Sequence, residues 1–308
     1  MINRVLIRTR VVQILYSAHL CENKDLQRIE SEFVLSLQKS YDLYFYLLSL
    51  LLELTETYSK KVEQGKAKLL PSYEEKHPNL CLLQNKFILQ LKENWQLNDY
   101  LGKRPLSWEE HTSFIRKTLD AILNSDIYLS YSKGSDHGYE ADREFWKRIF
   151  KQFIENNEEL ESILEDESIF WNDDVDIVLS FVLKTIKRFE ESDAGGYKLL
   201  PMFKDDEDNA FAIKLLRESL LNATEYNELV ARYAKNWESE RIALMDQLIM
   251  QIAIAELIHF PNIPVSVTLN EYINIAKVYS TQKSSSFING ILDSIVEDLK
   301  KEKRIIKK

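Results

Sequence analysis

Residues 239–259 read SERIALMDQLIMQIAIAELIH. Ile242, Met245, Leu248, Ile249 and Ile252 cover most sides of a helix, so this segment predicts a buried helix at the centre of a helical domain. Asp246, Gln247, Met250 and Gln251 share the remaining side, which is the side expected to face out. Glu256 projects toward the apolar side. A carboxylate there needs hydrogen-bond donors. Backbone N–H groups of a neighbouring helix start or loop are the expected source, with loop 281–286 a candidate. The alternative role for Glu256 is a catalytic acid.

The pattern around this segment stays helical. Helices are expected at about 209–222 and 224–236, before the central one. PNIPVSV (261–267) reads as a turn, and Thr268 with Glu271 as a capping box. The helix that follows buries Leu269, Tyr272, Ile273, Ala276 and Tyr279. A serine-rich loop (281–285) precedes a last helix with Ile288, Ile291, Leu292, Ile295 and Leu299 on one face. The basic end KKEKRIIKK (300–308) reads as a fraying, solvated tail.

At the other end, a helix from Val5 to Leu20 carries a stripe of Ile7, Val11, Ile14, Leu15 and Ala18. Arg10, Gln13 and Ser17 lie opposite, and Arg4 and Arg8 fall beside the stripe. A second helical block spans about 27–63. Its most apolar run, LYFYLLSLLLEL (43–54), is too short to span a bilayer and reads as a buried helix. KLLPSYEEKHPNL (68–80) is a loop. Helical pattern resumes at 82–101. Ser107 and Glu110 form a capping box that opens a helix to about Tyr131. SKGSDHG (132–138) is a turn, and two or three helices follow between Tyr139 and Glu191. The stretch 191–208, with Gly195, Gly196, Pro201 and an acidic run, is the best boundary in the chain.

Composition agrees with this reading. Seven glycines and six prolines in 308 residues are too few for a turn-rich β fold, so the chain is expected to be all-α. No G-x-G-x-x-G or G-x-x-x-x-G-K-[ST] is present, which argues against nucleotide chemistry on a glycine loop. Cys21 and Cys81 are too few for a disulfide framework and read as reduced, core-type thiols in a cytosolic protein. The N-terminus has no apolar stretch suited to a secretory signal. The five histidines lack metal-ligand spacing. Asp205 to Asp208 read as a solvated lead-in to a helix N-terminus. The net charge of −9 disfavours a protein that coats nucleic acid but leaves room for a local basic patch.

The serine loop has two readings. Ser284 or Ser285 caps the last helix, or the helix start with its hydroxyls, Lys283 and Phe287 receives a phosphate and stacks a base.

The segment IPVSVTLNEYINIAKVYSTQKSSSFINGILDS (263–294) resembles the C-terminal signature of the NusB family of bacterial transcription antitermination factors. The matching residues are Asn270-Glu271, Ile275-Ala276-Lys277, Tyr279, and the run from Phe287 through Asn289-Gly290 to Asp293. IAIAEL (252–257) and RTRVVQILYSAHLCEN (8–23) resemble two further blocks of that family, in the same order. The resemblance covers about the first forty residues and the last hundred.

It implies an all-α, NusB-like helical bundle with a large helical insertion. The expected division is N-terminal helices at 1–60, an insertion at 61–205 and a C-terminal subdomain at 206–308. It further implies a non-catalytic, cytoplasmic, RNA-binding antitermination factor with no cofactor, no metal and no membrane contact. Its partners would be boxA-like single-stranded RNA, the ribosomal protein NusE and an RNA polymerase complex. Arg4, Arg8, Arg10 and Lys283 would contact phosphates, Phe287 would stack or pack, and Ser286 and Tyr16 would supply hydrogen bonds. Asp246 and Met250 would mark the NusE surface. Asn289 and Gly290 would be structural, the glycine allowing a neighbouring helix to approach closely. Two alternatives remain: a helical interaction scaffold, or an accessory to ribosomal RNA modification.

Overall fold

The structure is a computed structural model and describes residues 1–134, 137–234, 242–281 and 283–305, the side chain of Ala194 excepted. The tip of the 132–138 turn, the end of the helix expected to 236, the start of the one expected from 239, Gln282 and the last three residues of the tail lie outside the described residues.

The described residues form fifteen α-helices with short 3-10 and π turns between them. Their β pairing is confined to an isolated bridge between Ile2 and Phe203. In chain order the helices are α1 (Arg4–Leu20), α2 (Leu26–Lys66), α3 (Tyr73–Lys76), α4 (Lys86–Lys92), α5 (Trp95–Gly102), α6 (Thr112–Leu123), α7 (Asp126–Lys133), α8 (Tyr139–Ile149), α9 (Glu158–Glu167) and α10 (Val175–Arg188). Then come α11 (Asp206–Leu221), α12 (Ala223–Ala234), α13 (Leu244–His259), α14 (Val265–Tyr279) and α15 (Ser284–Lys301). Many start on side-chain caps that answer an orphan N–H of the first turn. Asn3, Asn85, Asn94, Ser125 and Asn157 do this for α1, α4, α5, α7 and α9.

The chain divides into two compact units: residues 38–202 with Met1, and residues 2–37 with 203–308. The 41-residue α2 contributes its first turns to one and the rest to the other.

In the 38–202 unit, Tyr44, Tyr46, Phe87, Trp146, Phe150 and Phe189 are fully buried. Tyr46 stacks on Trp108 at 4.0 Å, and the Trp108 indole N–H donates to the Tyr46 carbonyl and to Ser49 Oγ. The apolar run 43–54 lies in α2 and is largely buried, as its composition predicts. Two expected helices are broken by polar caps. The 82–101 block splits into α4 and α5 at Asn94. Ser107 does not open a long helix: its Oγ accepts from Glu109 N at 3.2 Å ahead of a 3-10 turn, α6 starts at Thr112, and Ser125 starts α7 anew. This unit holds 21 Lys and Arg against 29 Asp and Glu, a net −8 of the chain's −9.

In the other unit, α13 packs against α1, α11, α12, α14 and α15. Leu248 through Leu257 are all buried, which fits the central helix read from its sequence. Asp205 caps α11 by accepting from Asp208 N at 3.1 Å, as the acidic run suggests. Three local expectations fail. α14 starts at Val265 behind Pro264, so Thr268 sits inside the helix and caps nothing. α15 starts behind Lys283 with no side-chain cap, so neither Ser284 nor Ser285 plays that part. Cys21 is exposed at the end of α1 and is not a core thiol.

Asp142 on α8 is 1% exposed. Its carboxylate accepts from Lys86 N at 2.7 Å and Tyr131 OH at 2.6 Å, and its carbonyl accepts from Asn85 Nδ2 at 3.2 Å. Removing that carboxylate strands two part-buried donors. Asp142→Ala is expected to destabilise the protein by about 3 kcal/mol, read as a lower urea midpoint. A midpoint unchanged from wild type would show that this junction of α4, α7 and α8 does not depend on the carboxylate.

Candidate functional site

The polar centre of the second unit is an ion pair. Glu256 on α13 has no solvent exposure, and Arg8 on α1 is 3% exposed. Arg8 Nε lies 2.7 Å from Glu256 Oε2 and Nη2 lies 2.9 Å from Oε1, the two-pronged geometry of a strong guanidinium–carboxylate pair. Two donors on α14 also reach the carboxylate: Thr268 Oγ1 at 2.9 Å and Tyr272 OH at 3.1 Å. Glu271 lies 3.7 Å from Arg8 Nη1. The Arg8 guanidinium also sits over the Phe211 ring of α11, 5.4 Å from its centroid. One buried pair thus joins α1, α11, α13 and α14.

Burial pushes the Arg8 pKa down, but the hydrogen bond and charge of Glu256 more than offset this, so it ends above its ordinary value. Burial, and then the neighbouring Glu256 charge, hold the Tyr272 hydroxyl well above its usual range, so it stays a donor. Glu256 is buried as expected, and side chains of Arg8, Thr268 and Tyr272 are among its donors. A carboxylate held by these donors inside the core has the setting of a fixed acceptor, not of an acid exchanging protons with substrate.

This arrangement corrects the expected phosphate contacts. Arg8 is consumed by Glu256. Arg10 is 4% exposed, so the burial of α1 extends beyond its apolar stripe. Arg4 is half-buried, with Nε 2.8 Å from Asp208, Nη2 3.7 Å from Glu207, and its guanidinium over Phe211 at 5.1 Å.

The turn between α14 and α15 closes over the start of α13. Ser280 Oγ donates to Asp246 Oδ1 at 2.5 Å and lies 3.0 Å from Ser284 Oγ, which pairs with Thr281 Oγ1 at 2.8 Å. Gln13 Nε2 of α1 donates to Tyr279 OH at 3.1 Å. Asp246 is therefore 5% exposed and Met250 is fully buried. Neither lies on an exposed side of the central helix, and Asp246 is held by the α14–α15 turn. Beyond the turn, Lys283 and Ser286 face solvent, while Phe287 and Asn289 are half-buried, as is Tyr16 on α1. Asn289 Nδ2 donates to Asp293 Oδ2 at 3.0 Å. Gly290 is exposed, and a Cβ built there would meet nothing within 4 Å, so close packing is not the reason for this glycine.

The sequence did carry one overlooked signal. Thr268 and Tyr272, one helical turn apart, place two hydroxyls on the buried face of α14, where a polar partner is required. Arg8 had no local signal, being 248 residues from its partner. Among the described residues, no group of three or more His, Cys, Asp or Glu could hold a metal ion. No helix of theirs is long and apolar enough to cross a membrane.

A sequence model of the NusB family matches residues 177–297, from α10 into α15. Transcription antitermination protein NusB of Salinibacter ruber is 36% identical over 132 residues, 41% of this chain and 82% of that protein. Its counterpart from Chloroherpeton thalassium is 42% identical over 90 residues, 29% of this chain and 43% of that protein. A solved structure of T. maritima NusB is 30% identical over 39% of this chain and 75% of its own, with a TM-score of 0.28. The architecture is that of an all-α protein built round a buried central helix. The chain belongs to the NusB family.

Glu256→Ala leaves the Arg8 charge buried and unpaired and is expected to cost about 3–5 kcal/mol of stability. The double change Arg8→Met with Glu256→Leu is expected to cost much less, since no charge is left stranded. Urea unfolding of both variants checks this. Equal losses in the two would mean that packing volume, not the charge pair, sets the stability here.

Proposed function

We propose that the protein is a non-catalytic, RNA-binding transcription antitermination factor of the cytoplasm. It binds boxA-like single-stranded RNA together with NusE, within an RNA polymerase complex. The observation that carries the reading is that the family match runs across the α14–α15 turn, where Lys283 and Ser286 are open to solvent. Lys283 supplies charge for a phosphate, Ser286 a hydrogen bond, and the half-buried rings of Phe287 and Tyr16 offer faces to a base. Arg8 acts in this reading as a positioning residue: its pair with Glu256 holds α1 and α14, and Gln13 then meets Tyr279 at the edge of the turn. Residues 38–202, which hold all but the last three residues of the expected insertion at 61–205, are no part of this RNA surface. Their net charge of −8 opposes phosphate.

That charge, with Arg4, Arg8 and Arg10 engaged or buried, favours one second reading: a helical protein-interaction scaffold without RNA affinity.

Binding of labelled boxA-type RNA and a scrambled RNA, with and without the organism's own NusE, separates the two. Antitermination expects preference for the boxA sequence, tighter binding with NusE, and steep weakening with salt. Lys283→Ala/Ser286→Ala should lower affinity by about tenfold and make the salt slope shallower by about 0.7. Equal, weak binding to both RNAs with NusE still bound would leave the scaffold.

A further inference from the structure

Asp246 lies in the first turn of α13, where a carboxylate ordinarily stands in water and complements the helix dipole. Here it is 5% exposed, and its Oδ1 accepts a short hydrogen bond of 2.5 Å from Ser280 Oγ. Ser280 closes α14, and its backbone N–H is already bonded to the Ala276 carbonyl. Burying a carboxylate is costly unless donors are fixed around it. Glu256 stands ten residues further along α13, about 15 Å of rise. It takes Thr268 and Tyr272 from the first half of α14, and Asp246 takes the residue just past the last turn. The two carboxylates fasten α14 at both ends.

Beyond Ser280 the hydroxyls form a chain with one direction. A carboxylate only accepts, and a hydroxyl has a single proton to give. Ser280 gives its proton to Asp246, so it accepts from Ser284 Oγ, 3.0 Å away, and Ser284 accepts in turn from Thr281 Oγ1 at 2.8 Å. The backbone closes the same bend, with Ser284 N–H on the Thr281 carbonyl at 3.0 Å. Ser284 is the first residue of α15 and is 6% exposed. That helix begins without a side-chain cap, and Ser284 is tied to α13 instead. Lys283, just before it, and Ser286, in its first turn, are exposed. Phe287 follows, its N–H on the Lys283 carbonyl at 3.2 Å.

We propose that Asp246 is a positioning residue for RNA. It makes no contact with the nucleic acid. Through Ser280 and Ser284 it sets the start of α15, which presents Lys283, Ser286 and Phe287. The inference takes its ligand from the antitermination reading and rests on it. It also predicts a sign that charge alone would reverse. Removing a negative charge near a phosphate-binding turn should tighten RNA binding. Freeing the turn should weaken it, because the contacting side chains must then be ordered at the moment of binding.

Amide hydrogen exchange of the full chain, with its binding of labelled boxA-type RNA at fixed salt, tests the proposal. In Asp246→Ala, exchange at the Ser284 and Phe287 amides should quicken by at least about tenfold. RNA affinity should fall by about tenfold, while the Ile252 amide in the middle of α13 stays protected. Ser280→Ala breaks the same chain with the carboxylate in place and should act alike. Asp246→Asn removes the charge but keeps an acceptor for Ser280, so exchange and affinity should stay within about threefold of the unaltered chain. Lys283→Ala should cost less affinity in the Asp246→Ala background than alone, since two residues acting through one turn are not additive. Turn exchange unchanged in both Asp246→Ala and Ser280→Ala, RNA binding unchanged or tightened, or a loss shared equally by Asp246→Asn would each overturn the proposal. If the unaltered chain binds no RNA, it is the antitermination reading that fails, and exchange by itself then decides whether Asp246 holds the turn.

Discussion

The unit that carries the family signature depends on one buried charge pair. Glu256 lies on α13, which packs against α1, α11, α12, α14 and α15, where an unpartnered carboxylate would be too costly to bury. Arg8 neutralises it through two short hydrogen bonds, and Thr268 and Tyr272 also reach it. These partners come from opposite ends of the chain, so the pair forms when α1, α13 and α14 are all in place. An apolar core tolerates sliding of one helix against another. A two-pronged ion pair does not, because each prong has a direction as well as a distance. The α14–α15 turn inherits its position from this constraint.

The same constraint explains why basic residues at the start of the chain do not form a basic surface. Arg8 and Arg10 are buried, and Arg4 is engaged by the acidic N-terminus of α11. Charge that would read as a phosphate contact in an isolated helix is used inside the protein. Among the described residues, the turn and its neighbours present one lysine, hydroxyls and half-buried rings. One lysine among hydroxyls and rings does not support tight phosphate binding through charge alone.

The two units differ in what their surfaces can do. One is close to neutral, and the other holds nearly all of the chain's net negative charge. Acidity over residues 38–202 keeps phosphate away while leaving room for protein contacts. The exposed leucines beyond α2 are the clearest apolar exception on that surface. A single helix, α2, supplies residues to both units.

Much of this was legible in the sequence, for a physical reason. Helical periodicity and scarce glycine and proline are local properties, so the all-α class, the buried α13 and the apolar run in α2 could be read from neighbouring residues. So could the family, because its blocks keep their order and spacing along the chain. Helix ends were less legible. Capping patterns such as Ser107 with Glu110 and Thr268 with Glu271 compete with tertiary demands, and Thr268 is taken by Glu256 instead. Burial of polar groups was least legible. A helical wheel assigns sides but not what covers them: Asp246, Met250 and Arg10 all read as outward and all are buried, Asp246 against the α14–α15 turn. The sequence by itself determined which segments are helical and which family they belong to. Tertiary structure alone decided which charges are spent in the core and which reach solvent, because that depends on partners as much as 248 residues away.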